Sequence, residues 1–292
     1  MYYVVYGLLY LLSLLPLRVL YLFSDFAYVM IYYVAGYRKG VVMGNLETAF
    51  PQKTMEERKH IAKKFYRNFT DTFIEMIKMF SAGPRWLNRH VQADFSLLNR
   101  AYEEGRKSQV HLGHNFNWEV GNAYSAMHIK QPFLGVYMPL GNQVLDRVFR
   151  KLRSKYGTIL IPATEMRAAM LPYRTQPYTL GLVADQSPAN QMAGFWVNFF
   201  GKPTSFVRGP EKGALAGNLP VIFCHITKTR RGYYHIHFEE GAWETTGLGK
   251  GELTIRYVRY LERVISENPD MWLWSHRRWK LQWKPEYGPV IG

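Results

Sequence analysis

Residues 110–119, with the sequence VHLGHNFNWE, place a histidine directly after a short apolar run and a carboxylate five positions later. The run predicts a short strand over 110–113, and residues 117–128 predict a helix, so His114 is expected at a strand-to-helix junction. Such junctions aim side chains and free N–H groups into a cleft. An imidazole there can take a proton from an alcohol, and Glu119 can fix its tautomer. The alternative is a core histidine that satisfies a local hydrogen bond.

Strands and helices alternate along the rest of the chain. A capping box at Thr54 and Glu57 opens a long helix, which Pro84 ends. Further strands are predicted over 133–137, 158–161, 178–184, 221–227 and 233–238, and further helices over 142–155, 164–172 and 251–267. The predicted apolar face of the helix over 142–155 consists of Leu145, Val148, Phe149 and Leu152. This order predicts an α/β fold with a mixed, largely parallel sheet flanked by helices.

The amino-terminal stretch is apolar. Residues 1–36 hold only two formally charged side chains, Arg18 and Asp25, and a membrane helix needs about 20 apolar residues. Tyrosines repeated through the stretch suit the interface between lipid and water. We therefore expect a membrane-anchoring helical segment over 1–40, followed by one catalytic domain over 41–292. Two alternatives stay open: a buried helical hairpin of the domain itself, and an anchor that lies within one leaflet instead of spanning the bilayer.

The charge of the chain indicates its class of partner. The formal net charge is +15, which implies anionic partners, either nucleic acid or an anionic membrane. An aromatic content of 16% and the apolar amino-terminal stretch favour the membrane. Arg38 and Lys39 follow that stretch directly, which indicates that the following domain is cytoplasmic. We therefore expect a membrane partner and no nucleic acid.

Several kinds of site are not indicated. The single cysteine, Cys224, excludes an intrachain disulfide and a cysteine-rich metal site, and we expect it to be a buried apolar residue. His235 and His237 share one face of a predicted strand, but no nearby carboxylate–cysteine set completes a ligand shell. Neither a Gly-x-Ser-x-Gly elbow nor a P-loop pattern is present. We expect no metal, no bound cofactor and no serine acyl-enzyme.

Five sequence motifs follow one another along the chain. They are Asn45–Pro51 (NLETAFP), His114–Glu119 (HNFNWE), Pro139–Gly157 with Leu145-Asp146 and Leu152-Arg153, Asp185-Gln186 with the later Phe199–Gly201, and Pro269–Lys280 (PDMWLWSHRRWK). In this order the chain resembles the bacterial late acyltransferases of lipid A biosynthesis, a branch of the lysophospholipid acyltransferase superfamily. The resemblance covers nearly the whole chain.

The resemblance implies a reaction and a place for it. A fatty acyl chain would move from an acyl carrier protein thioester to a hydroxyl of a phosphorylated membrane lipid, a lipid A precursor. The reaction would take place at the bacterial inner membrane, with the catalytic domain on the cytoplasmic side. His114 would be the general base and Glu119 its orienting partner. Backbone N–H groups after His114 are candidate donors to the oxyanion, and so is Arg153, which looks like the family's second-block arginine. Arg150 is the alternative to Arg153, and a solvated helix face is the competing interpretation of both.

Three further groups are candidates for the site. Asp185 follows a predicted strand, where open α/β sheets place their sites, and is either a second carboxylate of the cleft or a turn cap. Arg277 and Arg278 lie among aromatic residues and can bind lipid phosphates through their guanidinium forks, or form an unspecific interfacial patch. Residues 194–201 are aromatic and glycine-rich, and either line an acyl channel or pack against the core.

Two rival functions stay open. An acyltransferase of the same class would act on another acceptor, such as a glycerophospholipid or an aminolipid. A catalytically silent lipid-binding relative would share the motifs without the chemistry, and the intact pair of His114 and Glu119 argues against it.

Overall fold

Ten strands form two sheets in the computed structural model, which describes residues 1–292. They are β1 (Val91–Ala93), β2 (Ser108–Leu112), β3 (Phe133–Tyr137), β4 (Ile159–Pro162), β5 (Thr179–Val183), β6 (Gly194–Phe199), β7 (Lys202–Val207), β8 (Val221–Arg230), β9 (Tyr233–Ala242) and β10 (Val290–Ile291). Seven make the central sheet, in the order β1-β9-β8-β2-β5-β3-β4. All neighbours in it are parallel except β8 and β9. The prediction of a mixed, largely parallel sheet is confirmed.

Eleven α-helices flank this sheet or precede it. They are α1 (Tyr2–Ser13), α2 (Leu17–Val29), α3 (Lys39–Ala49), α4 (Met55–Lys78), α5 (Pro84–His90), α6 (Ser96–Glu103), α7 (Trp118–His128), α8 (Gln143–Arg153), α9 (Met166–Ala169), α10 (Gly209–Gly217) and α11 (Glu252–Glu267). The predicted capping box is confirmed at the start of α4, where Thr54 N–H donates to Glu57 and Glu57 N–H donates to the Thr54 hydroxyl. The two bonds satisfy backbone donors that the helix leaves free.

The strand register determines which residues meet at the edge of the central sheet. Strands β2 and β5 are parallel neighbours, with Leu112 opposite Val183. Because parallel strands end at the same edge, the segments that follow β2 and β5 emerge side by side. The first leads through His114 into α7, and the second begins with Ala184 and Asp185. Short apolar runs predicted both strands, but only the topology makes these two neighbours.

A second, small sheet was not predicted. It has the order β10-β6-β7, so a strand near residue 290 pairs with one near residue 196. Its aromatic residues Phe195, Trp196 and Phe199 are buried in the core. Residues 194–201 were expected either to line an acyl channel or to pack against the core, and these three side chains pack against the core. The helices α5 and α6 and the short strand β1 were also not predicted.

The buried face of α8 is narrower than its sequence indicates. Val148 and Leu152 are buried and Leu145 is 42% exposed, so the core covers only part of the apolar face that the sequence predicts. Leu145 lies in the first turn of α8, directly after a loop in which Met138 and Leu140 are also exposed.

The amino-terminal helices pack on the domain and also present an apolar outer surface. Helix α2 and the π-helical turn that continues it (Met30–Val34) bury Leu20, Ser24, Tyr28 and Tyr32, a spacing of four residues. Helix α2 packs against α4. The side away from α4 exposes Leu22, Phe23, Phe26 and Val29. The stretch Leu17–Val34 is long and apolar enough to cross a membrane, so it is able to anchor the protein.

Polar contacts also attach α2 to the domain. Ser24 donates to Asp71 of α4 over 2.7 Å, and Asp25 pairs with Arg231 in the turn between β8 and β9. Arg231 bonds Asp71 as well, so one guanidinium joins two carboxylates. The segment therefore has an apolar outer surface, and hydrogen bonds and an ion pair attach its inner side to the domain.

Candidate active site

His114 and Asp185 meet at the carboxyl edge of the central sheet. The His114 ring nitrogen Nδ1 lies 2.5 Å from Asp185 Oδ1, and the His114 backbone N–H donates to Asp185 Oδ2 over 2.7 Å. The Asp185 side chain is 2% exposed and the His114 side chain 20% exposed. The carboxylate is therefore enclosed, while the imidazole reaches the surface of the cleft. Of the two interpretations of Asp185, the structure shows a carboxylate beside the histidine.

The predicted pairing of Glu119 with His114 is wrong. Glu119 lies in the first turn of α7, and its carboxylate points toward α8. Arg153 Nε lies 3.0 Å from both Glu119 oxygens, and Arg153 Nη2 lies 2.5 Å from Oε1. A guanidinium fork makes charge-assisted bonds to both oxygens at once, which a neutral imidazole cannot match. Glu119 therefore holds Arg153, and Asp185 occupies the place that was predicted for Glu119.

The second ring nitrogen of His114 faces the opening. Gln186 Nε2 lies 3.1 Å from His114 Nε2. With Asp185 accepting from Nδ1–H, the neutral imidazole presents Nε2 as an acceptor, and we assign this tautomer from the hydrogen bonds. A hydroxyl that replaced the Gln186 contact would meet a proton acceptor.

A third side chain completes the Asp185 environment. Trp272 Nε1–H donates to Asp185 Oδ2 over 2.8 Å. The segment that carries Trp272 also accepts a bond from the catalytic motif, since Phe116 N–H donates to the Met271 carbonyl over 2.9 Å. The sequence motif at 269–280 included Trp272, but no role was predicted for it. An indole donor for a carboxylate 87 residues earlier leaves no local signal.

The contacts shift the pKa values of both partners. Burial raises the pKa of Asp185, but the charge of His114 and the bonds from His114 and Trp272 outweigh burial and lower it to about 2. Burial lowers the pKa of His114, but the charge and hydrogen bond of Asp185 outweigh burial and raise it above its ordinary value. Each partner thus favours the charged form of the other.

Glu75 is a buried carboxylate behind the catalytic motif, and no role was predicted for it. It lies on α4, and Asn117 Nδ2 donates to its Oε2 over 3.0 Å. Tyr21 donates to Oε1 and Tyr234 to Oε2, each over 2.6 Å. Asn117 also caps α7, since its Oδ1 accepts from Val120 N–H. Glu75 therefore fixes the residue that begins the helix after His114.

The two arginines near the carboxyl terminus differ. Arg278 is 1% exposed and lies over the Phe206 ring, 4.2 Å from its centroid. Its Nη1 donates to Ser187 and its Nη2 to the Ser205 carbonyl. Burial lowers the pKa of Arg278 to about 10. The predicted phosphate contact by Arg278 is wrong, because the guanidinium is enclosed and bonded to the protein.

The other predicted cations lie at the surface. Arg277 is exposed. Arg150 is exposed on α8, 3.8 Å from Asp146. Arg153 lies between these extremes, with a side chain that is 24% exposed and an Nη1 that bonds no protein group. The roles of Arg150, Arg153 and Arg277 toward a substrate stay predictions.

Histidines cluster at one further place. The rings of His225 and His237 stack with centroids 4.5 Å apart, and those of His235 and His237 with centroids 4.3 Å apart. His225 Nδ1 is hydrogen-bonded to the Tyr260 hydroxyl, and His237 Nε2 to the Thr227 hydroxyl. No group of three or more potential side-chain ligands converges anywhere in residues 1–292 to hold a metal ion.

Comparison with known proteins identifies the family of the chain. Residues 1–281 match the family described as bacterial lipid A biosynthesis acyltransferase. The chain is 22% identical over 251 residues to the lipid A biosynthesis palmitoleoyltransferase of Escherichia coli strain K12, an alignment that covers 83% of this chain and 79% of that protein. The same figures hold for the lipid A biosynthesis acyltransferase of Shigella flexneri. The chain therefore belongs to the bacterial lipid A biosynthesis acyltransferase family, and it is an acyltransferase.

Proposed function

We propose that this acyltransferase moves a fatty acyl chain from an acyl carrier protein thioester to a hydroxyl of a lipid A precursor. We place the reaction at the inner membrane, with the catalytic domain on the cytoplasmic side. The observation that carries the mechanism is the contact of 2.5 Å between His114 Nδ1 and Asp185 Oδ1. Because this contact occupies Nδ1, it leaves Nε2 as the acceptor at the opening of the cleft.

The proposed reaction has two steps. His114 Nε2 takes the proton of the acceptor hydroxyl while its oxygen attacks the thioester carbonyl, which gives a tetrahedral oxyanion. Collapse of this intermediate forms the ester, breaks the carbon–sulfur bond and releases the thiolate, which takes the proton from His114. Asp185 stabilises the imidazolium between the two steps and itself remains deprotonated. No covalent bond to the enzyme forms.

Arg153 is the proposed donor to the oxyanion. Its Nε and Nη2 are held by Glu119, and its Nη1 is free within the protein. A guanidinium held in this way stabilises developing charge without reorganising during the reaction. Glu119 then serves the reaction as a positioning residue for Arg153 and not as a partner of the base.

The proposed organisation keeps residues 1–40 as the membrane anchor and residues 41–292 as the acyltransferase domain. The exposed apolar side of α2 supports the anchor. The bonds from Ser24 to Asp71 and from Asp25 to Arg231 support an anchor that is packed against the domain and does not move independently of it.

A product analysis tests the proposal. Purified full-length protein is given an acyl carrier protein thioester and either a lipid A precursor or a glycerophospholipid, and the products are identified by mass spectrometry. We expect ester formation on the lipid A precursor and its loss in His114→Ala. His60→Ala, which changes an exposed histidine on α4, is the matched control. Acylation of the glycerophospholipid alone would show that the acceptor is not a lipid A precursor. Normal turnover by His114→Ala would show that His114 is not the general base.

A further inference from the structure

A basic groove lies beside α1, and neither His114 nor Asp185 lines it. It has a volume of about 730 Å³ and is lined by one face of α8, by Tyr2 of α1 and by Leu140. Three cationic side chains of α8 line it, Arg147, Arg150 and Lys151, together with a single acid, Asp146. The groove therefore has an excess of positive charge and is open to solvent.

The charges in the groove are not neutralised within the protein. No carboxylate lies within 4.0 Å of Arg147 or Lys151, and Asp146 is 3.8 Å from Arg150. Arg147 lies over the Tyr2 ring, 4.1 Å from its centroid, which supports the guanidinium plane and leaves its edge free to donate. Guanidinium forks match the oxygens of a phosphate, and a lysine adds a mobile third charge. The chemistry that fits the groove is a phosphate group.

The rim of the groove indicates where that phosphate comes from. Leu140 lines the groove and is exposed, and Met138, two residues before it, is 65% exposed. Helix α1, which packs against α8, exposes Tyr3, Val4 and Leu8. A free phosphate ion would leave these apolar side chains in water. A lipid headgroup would fill the groove while the acyl region of the bilayer covers the apolar rim.

We propose that the groove of Arg147, Arg150 and Lys151 is a second membrane contact, which binds the phosphate headgroup of an anionic lipid next to α1. It goes beyond the acyl transfer proposed above and does not depend on it. The contact would add a charge-selective attachment to the apolar one made by α1 and α2. Because α8 ends at Arg153, the lipid would bind on the same helix that carries the proposed oxyanion donor.

A vesicle-binding experiment tests the groove. Purified full-length protein is mixed with phosphatidylcholine vesicles that either contain or lack phosphatidylglycerol, and the bound fraction is measured by flotation. The test variant is Arg147→Gln/Lys151→Gln, which removes the two cations that have no ion pair. The matched control is Lys212→Gln/Lys250→Gln, which removes two exposed cations on α10 and in the loop before α11 that also have no ion pair within 4.0 Å. Both variants lower the net charge by the same amount.

We expect the test variant to lose about 10- to 30-fold in its preference for the anionic vesicles, since each basic residue at a membrane surface contributes several-fold. The control should lose little, and both should bind neutral vesicles as before. Unchanged thermal unfolding excludes misfolding. Equal losses in both variants would mean that net charge alone attracts the membrane, and the groove would be overturned as a site.

Two further outcomes assign the groove to another occupant. If inorganic phosphate at low concentration abolishes the preference of the unaltered protein, the groove is a site for free phosphate. If the test variant binds anionic vesicles normally but its KM for acyl carrier protein thioester rises, the groove docks the acidic carrier protein. Either result overturns the lipid contact. Neither bears on whether His114 and Asp185 perform the reaction, so the two proposals fail separately.

Discussion

Tyr21 and Glu75 join α2 to the segment that follows His114 through a hydrogen bond of 2.6 Å. The Tyr21 hydroxyl donates to Oε1 of the buried Glu75, whose Oε2 accepts from Asn117, three residues after His114. One carboxylate therefore connects the position of α2 to the residue that begins α7. Helix α2 and the candidate site are parts of one packed structure, and damage to the helix is expected to affect the site.

Tyr21→Phe tests this connection. The variant leaves Glu75 Oε1 buried without a donor, which costs about 1–3 kcal/mol of unfolding free energy. Denaturant unfolding in detergent measures the loss. Tyr10→Phe is the control, because Tyr10 is 42% exposed and its hydroxyl makes no hydrogen bond within the protein. Equal stability of the two variants would show that the Tyr21 bond contributes nothing to the fold.

Asp185→Asn is expected to lower kcat by about 10²–10⁴-fold, because a neutral amide no longer stabilises the imidazolium and can favour the wrong tautomer. Binding of the acyl acceptor should change less, which the separate measurement of kcat and KM reveals. His114→Ala should lose a similar amount, and the double variant little more, since the two side chains act as a unit. Additive losses would mean that Asp185 acts independently of His114.

The pH dependence follows from the raised pKa of His114. The base acts in its neutral form, so kcat/KM should fall as the pH drops through a pKa that lies above the ordinary histidine value of about 6.5. Asp185→Asn removes the charge that raises this pKa, and the acid limb of the residual activity should move to lower pH. An acid limb that stays in place would mean that another group titrates.

The same pair also makes the free energy of unfolding depend on pH. The contribution of Asp185 is complete above its unfolded pKa and is lost as pH falls toward about 2. The contribution of His114 is complete below its unfolded pKa and is lost as pH rises through its raised folded pKa. Urea unfolding of the unaltered protein and of Asp185→Asn, measured across this pH range, gives the free energies of unfolding of the two for comparison.

Glu119→Gln tests the role of Glu119 beside Arg153. The variant leaves a largely buried guanidinium without its carboxylate, which costs about 3 kcal/mol. Activity should fall because Arg153 loses its position, but the acid limb of kcat/KM should keep its pKa, since Asp185 still contacts His114. A shift of that limb would restore Glu119 as a partner of the base. Glu119→Gln combined with Arg153→Met should recover stability but not activity.

Substitutions at Arg277 and at Arg278 are expected to have different effects on stability and kinetics. Arg278→Gln removes bonds to Ser187 and to the Ser205 carbonyl inside the core, so thermal stability should fall. Arg277→Gln changes an exposed side chain and should leave stability within about 0.5 kcal/mol. If Arg277 binds a lipid phosphate, its variant raises KM for a phosphorylated acceptor more than for the dephosphorylated analogue. Equal kinetics on both acceptors would contradict that contact.

Local patterns predicted most of the elements, and the reason is physical. Strand β3 has the bounds predicted, and α7 and α11 differ by one residue, because hydrophobic periodicity and capping act over a few neighbours. The capping box of α4 is such a case. Buried Cys224 also agrees with its apolar context.

The partners in the site could not be predicted from spacing. Glu119 is close to His114 in sequence, but Asp185, 71 residues away, is close in space because β2 and β5 are neighbours. Arg278 shows the other difficulty. A run of charged and aromatic residues looks alike whether it faces lipid or fills a core, and only the packing of Phe199 and Phe206 around the guanidinium decides.

The place of Trp272 in the chain has a consequence for the order of synthesis. The apolar helices emerge from the ribosome first, then His114, then Asp185, and the indole that donates to Asp185 follows 87 residues later. If residues 1–40 anchor the protein as proposed, a nascent chain reaches the membrane while Asp185 still lacks this donor and the Met271 carbonyl has not yet met Phe116. Under the proposed mechanism, attachment then comes before competence, so an incomplete chain at the bilayer would hold the membrane without acylating its lipids.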